Sequence, residues 1–257
     1  MFAMIQGIRS PSPKKRFERE IWSFAPYSIS IYQNLLKQLS SSGEYIVCHL
    51  ENVLEIKRKN KISILIRHDI DTLDCIRNMT VLLEEDLRYG FIPCVYLRVD
   101  REAYSIREWR TLLDAYQKKG VPFGLHSTCY IHDNYLERFR QETKIFIEET
   151  GIIPKSFTLH GLGQYCLKNR IAFISKARRI GKENSYVMTD CSKDYVSYDY
   201  VLHDSHWDEA SQRRYILKDF EEIPLFSRGK SYLVLTHPCY WENKTNDING
   251  KKHSIEG

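Results

Sequence analysis

The apolar positions of this chain come in short runs, and five of those runs end on a histidine or a carboxylate. In the sharpest, Ile62-Ser63-Ile64-Leu65-Ile66-Arg67-His68-Asp69-Ile70-Asp71, three isoleucines alternate with Ser63, Leu65 and Arg67. That density of β-branched residues predicts a buried strand. Successive strand side chains point to opposite faces, so Asp69 and Asp71 share one face and His68 takes the other. Two carboxylates then crowd one small volume at the strand's C-terminal end. Like charges that close raise each other's pKa, and a proton, a cation or open water relieves them.

The other four runs repeat the arrangement. Residues 121–125 lead into His126, 156–159 into His160, 198–202 into His203 and Asp204, and 232–236 into His237. Helical patterns with clear punctuation lie between several of them. Thr72 caps a predicted helix that stops at Gly90, Ser105 and Glu108 form a capping box for one ending at Gly120, and Asp133 opens an amphipathic stretch that closes at Gly151. Earlier, Ser28 or Ser30 caps a helix with Ile31, Leu35, Leu36 and Leu39 apolar, and Tyr45-Ile46-Val47-Cys48 reads as a short strand. Strands alternating with helices predict a parallel sheet, in which the C-terminal strand ends gather on one face. Five strand ends bearing ligand-type residues therefore predict one site.

Length and composition fit this picture without selecting it. A chain of 257 residues suits one large α/β domain. We expect an extended arm over 1–26, a single domain over 27–241 and a polar, disordered tail over 242–257. The net charge of +5 includes the cluster Lys14-Lys15-Arg16, which reads as a solvated arm and not as a nucleic-acid surface. Seven scattered cysteines without a C-x-x-C pair argue for a reducing compartment. No apolar run approaches the roughly 20 residues that span a bilayer, so the expectation is a cytoplasmic protein with no membrane span.

One carboxylate and two or three imidazoles converging from different strands make an open metal site, with three protein ligands and water in a remaining position. Divalent ions suit this set, Zn²⁺ being the default and Co²⁺, Ni²⁺ or Fe²⁺ also matching. A bound cation lowers the pKa of its water and polarises a carbonyl. A second carboxylate beside that water acts as base and a histidine from the last strand protonates the leaving group, chemistry suited to amide or ester hydrolysis.

Arg67-His68-Asp69-Ile70-Asp71, Gly124-Leu125-His126, Leu159-His160-Gly161, His203-Asp204-Ser205-His206-Trp207 and Leu235-Thr236-His237-Pro238-Cys239-Tyr240-Trp241 together carry a resemblance. In that order they resemble the polysaccharide deacetylases related to the family 4 carbohydrate esterases, and most a divergent branch associated with bacterial surface-polysaccharide synthesis. The resemblance runs from about Tyr27 to Trp241. It implies a distorted β/α barrel of about seven parallel strands and a divalent metal held by Asp-His-His. The implied reaction is removal of an N-acetyl or O-acetyl group from a sugar of a polysaccharide, or of a lipid-linked or nucleotide-linked precursor. By position Asp69 would be the base and Asp71 the metal ligand, with His126 a second ligand and His237 the general acid; the two aspartate roles are exchangeable. The family's main branch has a further histidine four residues after the first, where this chain has Tyr130. His160 is the expected replacement ligand and His132 the alternative. Arg67, Asp204, Trp207 and Trp241 are expected at the substrate.

Each of these residues also has a plainer reading. Asp69 and Asp71 can open a turn and cap a helix, His126 and His237 can be core histidines, and His68 points away from the carboxylates into a structural role. Arg67 orients a carboxylate or pairs with acids, and Trp207 and Trp241 stack on a sugar or simply pack. A phosphoesterase with two metals and a non-catalytic carbohydrate-binding descendant are the competing functions.

Overall fold

The run around Asp69 folds as the central strand: Ile62–Ile70 is extended throughout, and all nine of its residues are buried. The structure, a computed structural model, describes residues 27–41, 45–47, 61–161, 167–184, 187–188, 198–204, 214–216 and 228–242. In chain order these form β1 (Tyr27–Ser28), α1 (Ile29–Ser41), β2 (Tyr45–Val47), β3 (Ile62–Ile70), α2 (Leu73–Arg88), β4 (Cys94–Leu97) and α3 (Arg110–Lys118). There follow β5 (Phe123–Ser127), α4 (Tyr135–Thr150), β6 (Ser156–Leu159), α5 (Leu167–Asn184), β7 (Val187–Met188), β8 (Tyr200–His203), β9 (Arg214–Ile216), β10 (Ser231–Thr236) and β11 (Trp241–Glu242). The expected arm over 1–26 and the tail from 243 onward lie outside the described residues.

The main sheet runs β7-β6-β5-β4-β3-β10-β8-β9, and every pairing in it is parallel. Six strands of four or more residues, from β6 across to β8, lie side by side as a curled half-barrel with helices, an α/β fold. Among the described strands the sheet stays open, with β7 and β9 at its ends, where the resemblance implied a barrel of about seven strands. Strand β2 pairs with the first residues of β3, on the same edge that β4 takes over from Arg67 onward.

Strand alternation sorts the core. Val95, Phe123, Leu125, Phe157 and Leu159 pack with Ile76, Met79 and Leu83 of α2 and Phe139 and Phe146 of α4, and Ile62, Ile64, Ile66, Tyr232 and Val234 pack with Tyr32, Leu35, Leu36 and Leu39 of α1. Leu65, Cys94, Tyr96, Val201 and Leu233 form a separate cluster with no helical member. Each buried aliphatic side chain contributes about 1.5–3 kcal/mol, so a one-residue register slip in β3 would be prohibitive. On β5, Gly124 is required by close approach: a Cβ there would meet the Ser156 carbonyl at 2.6 Å and the Tyr96 ring at 2.5 Å.

The helix punctuation is partly as predicted. Thr72 caps α2, its Oγ1 accepting from the Cys75 N–H at 3.2 Å. Gly151 ends α4 in the left-handed region, φ 75°, and its N–H bonds the Ile147 carbonyl at 2.8 Å. Two starts need correction. Ser105 makes no side-chain cap, because Ile106–Trp109 winds as a 3₁₀ turn before α3 begins. Asn134, not Asp133, is the residue before α4, and it too makes no side-chain cap. His68 faces the helices as its parity requires, but its partners are side chains: Thr236 Oγ1 at 2.5 Å and Asp86 Oδ2 at 2.7 Å, with Tyr32 donating to Asp86 Oδ1 at 2.6 Å. Among the described residues no helix is long and apolar enough to cross a membrane.

Candidate metal centre

The alternation that sorts the core also gathers the polar residues. On the face away from the helices, β3 presents Leu65, Arg67 and Asp69 in step and Asp71 follows. His126 comes at the same parity on β5, His160 just past β6, and His237 just past β10. Parallel strands align these ends, and three side chains meet there. Asp71 Oδ1 lies 3.0 Å from His126 Nε2 and 3.0 Å from His160 Nδ1, and the two nitrogens are 3.2 Å apart. Among the described residues these three are the Asp/His/His group that could bind a metal ion.

The donor set passes a geometric test for such an ion. Ligand atoms about 2.0–2.1 Å from a tetrahedral Zn²⁺ are about 3.3 Å from one another, close to the observed spacing. Asp71 Oδ1 is buried and makes no hydrogen bond among the described residues, although two imidazole nitrogens are at contact distance. A buried carboxylate oxygen with only these two imidazole nitrogens beside it gains from a cation placed among the three. Burial works against ionised Asp71, but His160 and His126 outweigh it and hold its pKa well below the usual carboxylate range. Burial depresses the His160 pKa, Asp71 partly offsets this, and Arg98 adds to it, which favours the neutral imidazole that a metal requires.

A second carboxylate and a second kind of histidine flank the trio. Arg67 grips Asp69 from two sides, Nε to Oδ1 at 2.6 Å and Nη2 to Oδ2 at 2.5 Å. Burial raises the pKa of Asp69, but this guanidinium and then His126 more than offset it, so the carboxylate stays ionised. Asp69 Oδ2 is 3.7 Å from His126 Nε2, farther than Asp71, so Asp69 borders the trio without joining it. On the other flank, Asp204 Oδ1 lies 2.7 Å from His237 Nδ1, while Asp204 Oδ2 accepts from the His237 backbone N–H and from Trp241 Nε1. That leaves His237 Nε2 toward the centre, 3.6 Å from Asp71 Oδ2. Burial disfavours the imidazolium, yet the Asp204 charge and hydrogen bond, helped by Asp71 and Asp69, push its pKa up to about 10.

Three of the residues expected at the substrate have other work. Arg67, Asp204 and Trp241 are each at most 2% exposed. Arg67 is spent on Asp69, Asp204 on His237, and the Trp241 ring packs beside Tyr27 and Tyr32 with centroids 5.3 and 5.4 Å away. Each of the three is buried and holds another group: Arg67 the Asp69 carboxylate, Asp204 the His237 ring, and Trp241 Asp204. Trp207 lies outside the described residues. His132, the alternative ligand, sits in the turn after Cys129–Ile131 and is not in the trio.

Two residues at the centre lie outside the expected site set. Arg98 directly follows β4, a strand that also escaped notice because its apolar run ends on neither a histidine nor a carboxylate. Its Nη1 donates to the Asp71 carbonyl at 3.0 Å and lies 3.5 Å from His160 Nε2, with Asp100 balancing its charge. Tyr130 stands where the resemblance implies a histidine, yet its hydroxyl donates to the His160 carbonyl at 2.5 Å. The run Cys94-Val95-Tyr96-Leu97 ending on a cation was the available signal for Arg98. For Tyr130 there was none. No protein-family model matches the chain, and no curated protein matches it.

Proposed function

We propose that this protein is a metal-dependent hydrolase that removes an acetyl group from a sugar, in a polysaccharide or in its lipid-linked or nucleotide-linked precursor. The observation that carries the reading is the trio of Asp71, His126 and His160, flanked on one side by Asp69 in the grip of Arg67 and on the other by His237 bonded to Asp204. In this reading the trio holds the ion, Zn²⁺ being the default, and a divalent ion so held supplies a polarised carbonyl and a more acidic water. Asp69, kept ionised by Arg67, takes the proton of the attacking water. His237, held by Asp204 in the orientation that leaves Nε2 free, delivers a proton to the departing amine or alcohol. Acetate and a free amino or hydroxyl sugar are the products.

The resemblance to polysaccharide deacetylases supplies the substrate class and completes the half-barrel as a distorted barrel of that type. The four described cysteines, all free, support placing the reaction in the cytoplasm. The test pairs metal analysis of the purified protein with acetate release from N-acetylated sugars, nucleotide-linked and oligomeric. About one ion per chain together with acetate release is the expected result. A wild-type protein that retains no divalent ion overturns the reading, and two ions per chain point to a two-metal phosphoesterase instead.

A further inference from the structure

Cys75 and Cys239 stand 164 positions apart in sequence, and their sulfur atoms lie 3.0 Å apart. The hydrolase reading uses neither. Cys75 sits in the first turn of α2, four residues beyond Asp71. Cys239 sits in the turn Pro238–Tyr240, two residues beyond His237. The pair therefore bridges the corner that carries Asp71 and the turn that carries His237. A disulfide is about 2.05 Å long, so an approach of roughly 1 Å converts this contact into a bond.

Access and reactivity separate this pair from the other described cysteines. Cys94 and Cys129 are buried in the core, whereas Cys239 is partly exposed and lies against the buried Cys75. Burial and the Asp71 charge raise the Cys75 pKa, but the hydrogen bond with Cys239, then His237 and the Thr72 hydroxyl, outweigh them and lower it, while the same hydrogen bond raises that of Cys239, so a proton shared by the pair leaves its thiolate character on Cys75.

We propose that Cys75 and Cys239 are a peroxide-oxidisable dithiol that closes into a disulfide beside the metal centre. One thiolate attacks hydrogen peroxide, breaking the O–O bond and giving a sulfenic acid and, after protonation, water. The neighbouring thiol then attacks that sulfur, forms the S–S bond and releases a second water. Two thiols lose two electrons and two protons, and peroxide is reduced to two waters. Resting on the hydrolase reading, the same bond regulates the site. It draws the Asp71 corner toward the His237 turn, and a displacement of about 1 Å can cost a reaction about a hundredfold.

The test treats the reduced, full-length protein with a small excess of hydrogen peroxide, alkylates it under denaturing conditions and maps its peptides without reductant. The expected product is one cross-linked peptide pair joining Cys75 to Cys239, reversed by dithiothreitol and absent in Cys239→Ser. Recovery of both cysteines in alkylated form, or indiscriminate pairing of Cys75 with Cys94 and Cys129, overturns the proposal. Wild-type protein carries this readout, so a variant that misfolds does not decide it, and no activity enters it. In a second arm with zinc-loaded protein, oxidation lowers acetate release at least tenfold and dithiothreitol restores it. The cross-link with unchanged acetate release overturns the regulatory half. The cross-link in a protein that releases no acetate even when reduced instead counts against the hydrolase reading.

Discussion

Tyr130 donates its hydroxyl proton to the backbone carbonyl of His160 across 2.5 Å, and the Tyr130 side chain is fully buried. The residue that stands where the resemblance implied a histidine thus braces the histidine of the trio that comes from the next strand. His160 lies beyond the end of β6, where the ladder no longer fixes the backbone on both sides. Tyr130→Phe should weaken zinc binding by about tenfold or more, the usual effect of losing a group that orients a ligand. It should also cost about 1 kcal/mol of stability through the lost hydrogen bond. Competition with a chromophoric chelator reads the first and denaturant unfolding the second. Unchanged zinc affinity would show that the His160 backbone needs no such brace.

The two aspartates, so alike in sequence, predict opposite phenotypes. Asp71→Ala removes the oxygen that touches both imidazole nitrogens and should abolish tight metal binding. Asp69→Asn leaves the trio whole and should retain the ion while acetate release falls at least a hundredfold. Metal analysis and an acetate assay on the same preparations separate the outcomes, and loss of metal in Asp69→Asn would mean that the roles are exchanged.

Asp204 sets the alkaline limit of activity in this scheme. Burial alone would depress the His237 pKa, and the Asp204 carboxylate is the largest influence raising it to about 10. Asp204→Asn should let the pKa fall toward the ordinary imidazole value. The general acid is then lost at lower pH, and the alkaline limb of the rate profile moves down. A rate profile from pH 6 to 10 that keeps its alkaline limb would remove His237 from the role of acid.

Glu142, which accepts from the two residues that follow His126, predicts a pH-dependent stability. Burial raises its pKa above the model-peptide value of 4.5, and hydrogen bonds from Ser127 and Thr128 with the charge of Arg138 only partly oppose this. The folded protein therefore holds this proton more tightly than the unfolded chain. The resulting stability is fully present below pH 4.5 and is lost as pH rises through the raised folded value. Glu142→Gln should flatten that part of the stability curve, measured as urea midpoints from pH 4 to 8. An unaltered slope would assign it to another group, Asp86 being a second buried carboxylate with a raised pKa among the described residues.

The strands that frame the site were legible where β-branched and aromatic residues alternate, as in β3 and β10, and where an apolar run ended on a histidine. Strand β4 was not: its Cys-Val-Tyr-Leu run is short and ends on Arg98, and only its pairing between β3 and β5 makes it a strand. The predicted capping box at Ser105 failed for a related reason. A four-residue motif states a local preference, and packing of Ile106 and Trp109 with the core cluster accompanies a 3₁₀ entry there instead. Trp241 was the hardest to place, because an aromatic side chain beside a site motif reads alike whether it faces a ligand or the core.

By itself the sequence determined parity: which residues of each strand share a face, and therefore that Asp69 and Asp71 lie together while His68 turns away. Parity follows from the extended backbone within a few residues and needs no partner. Only the tertiary structure decided distances: that Asp71 Oδ1 meets His126 and His160, that Arg67 claims Asp69, that Asp204 and Trp241 serve His237, and that Cys75 meets Cys239. Apart from Arg67 and Asp69, neighbours on β3, those contacts join segments that sheet order brings together from as far as 164 residues apart, and sheet order is set by the packing of the whole chain.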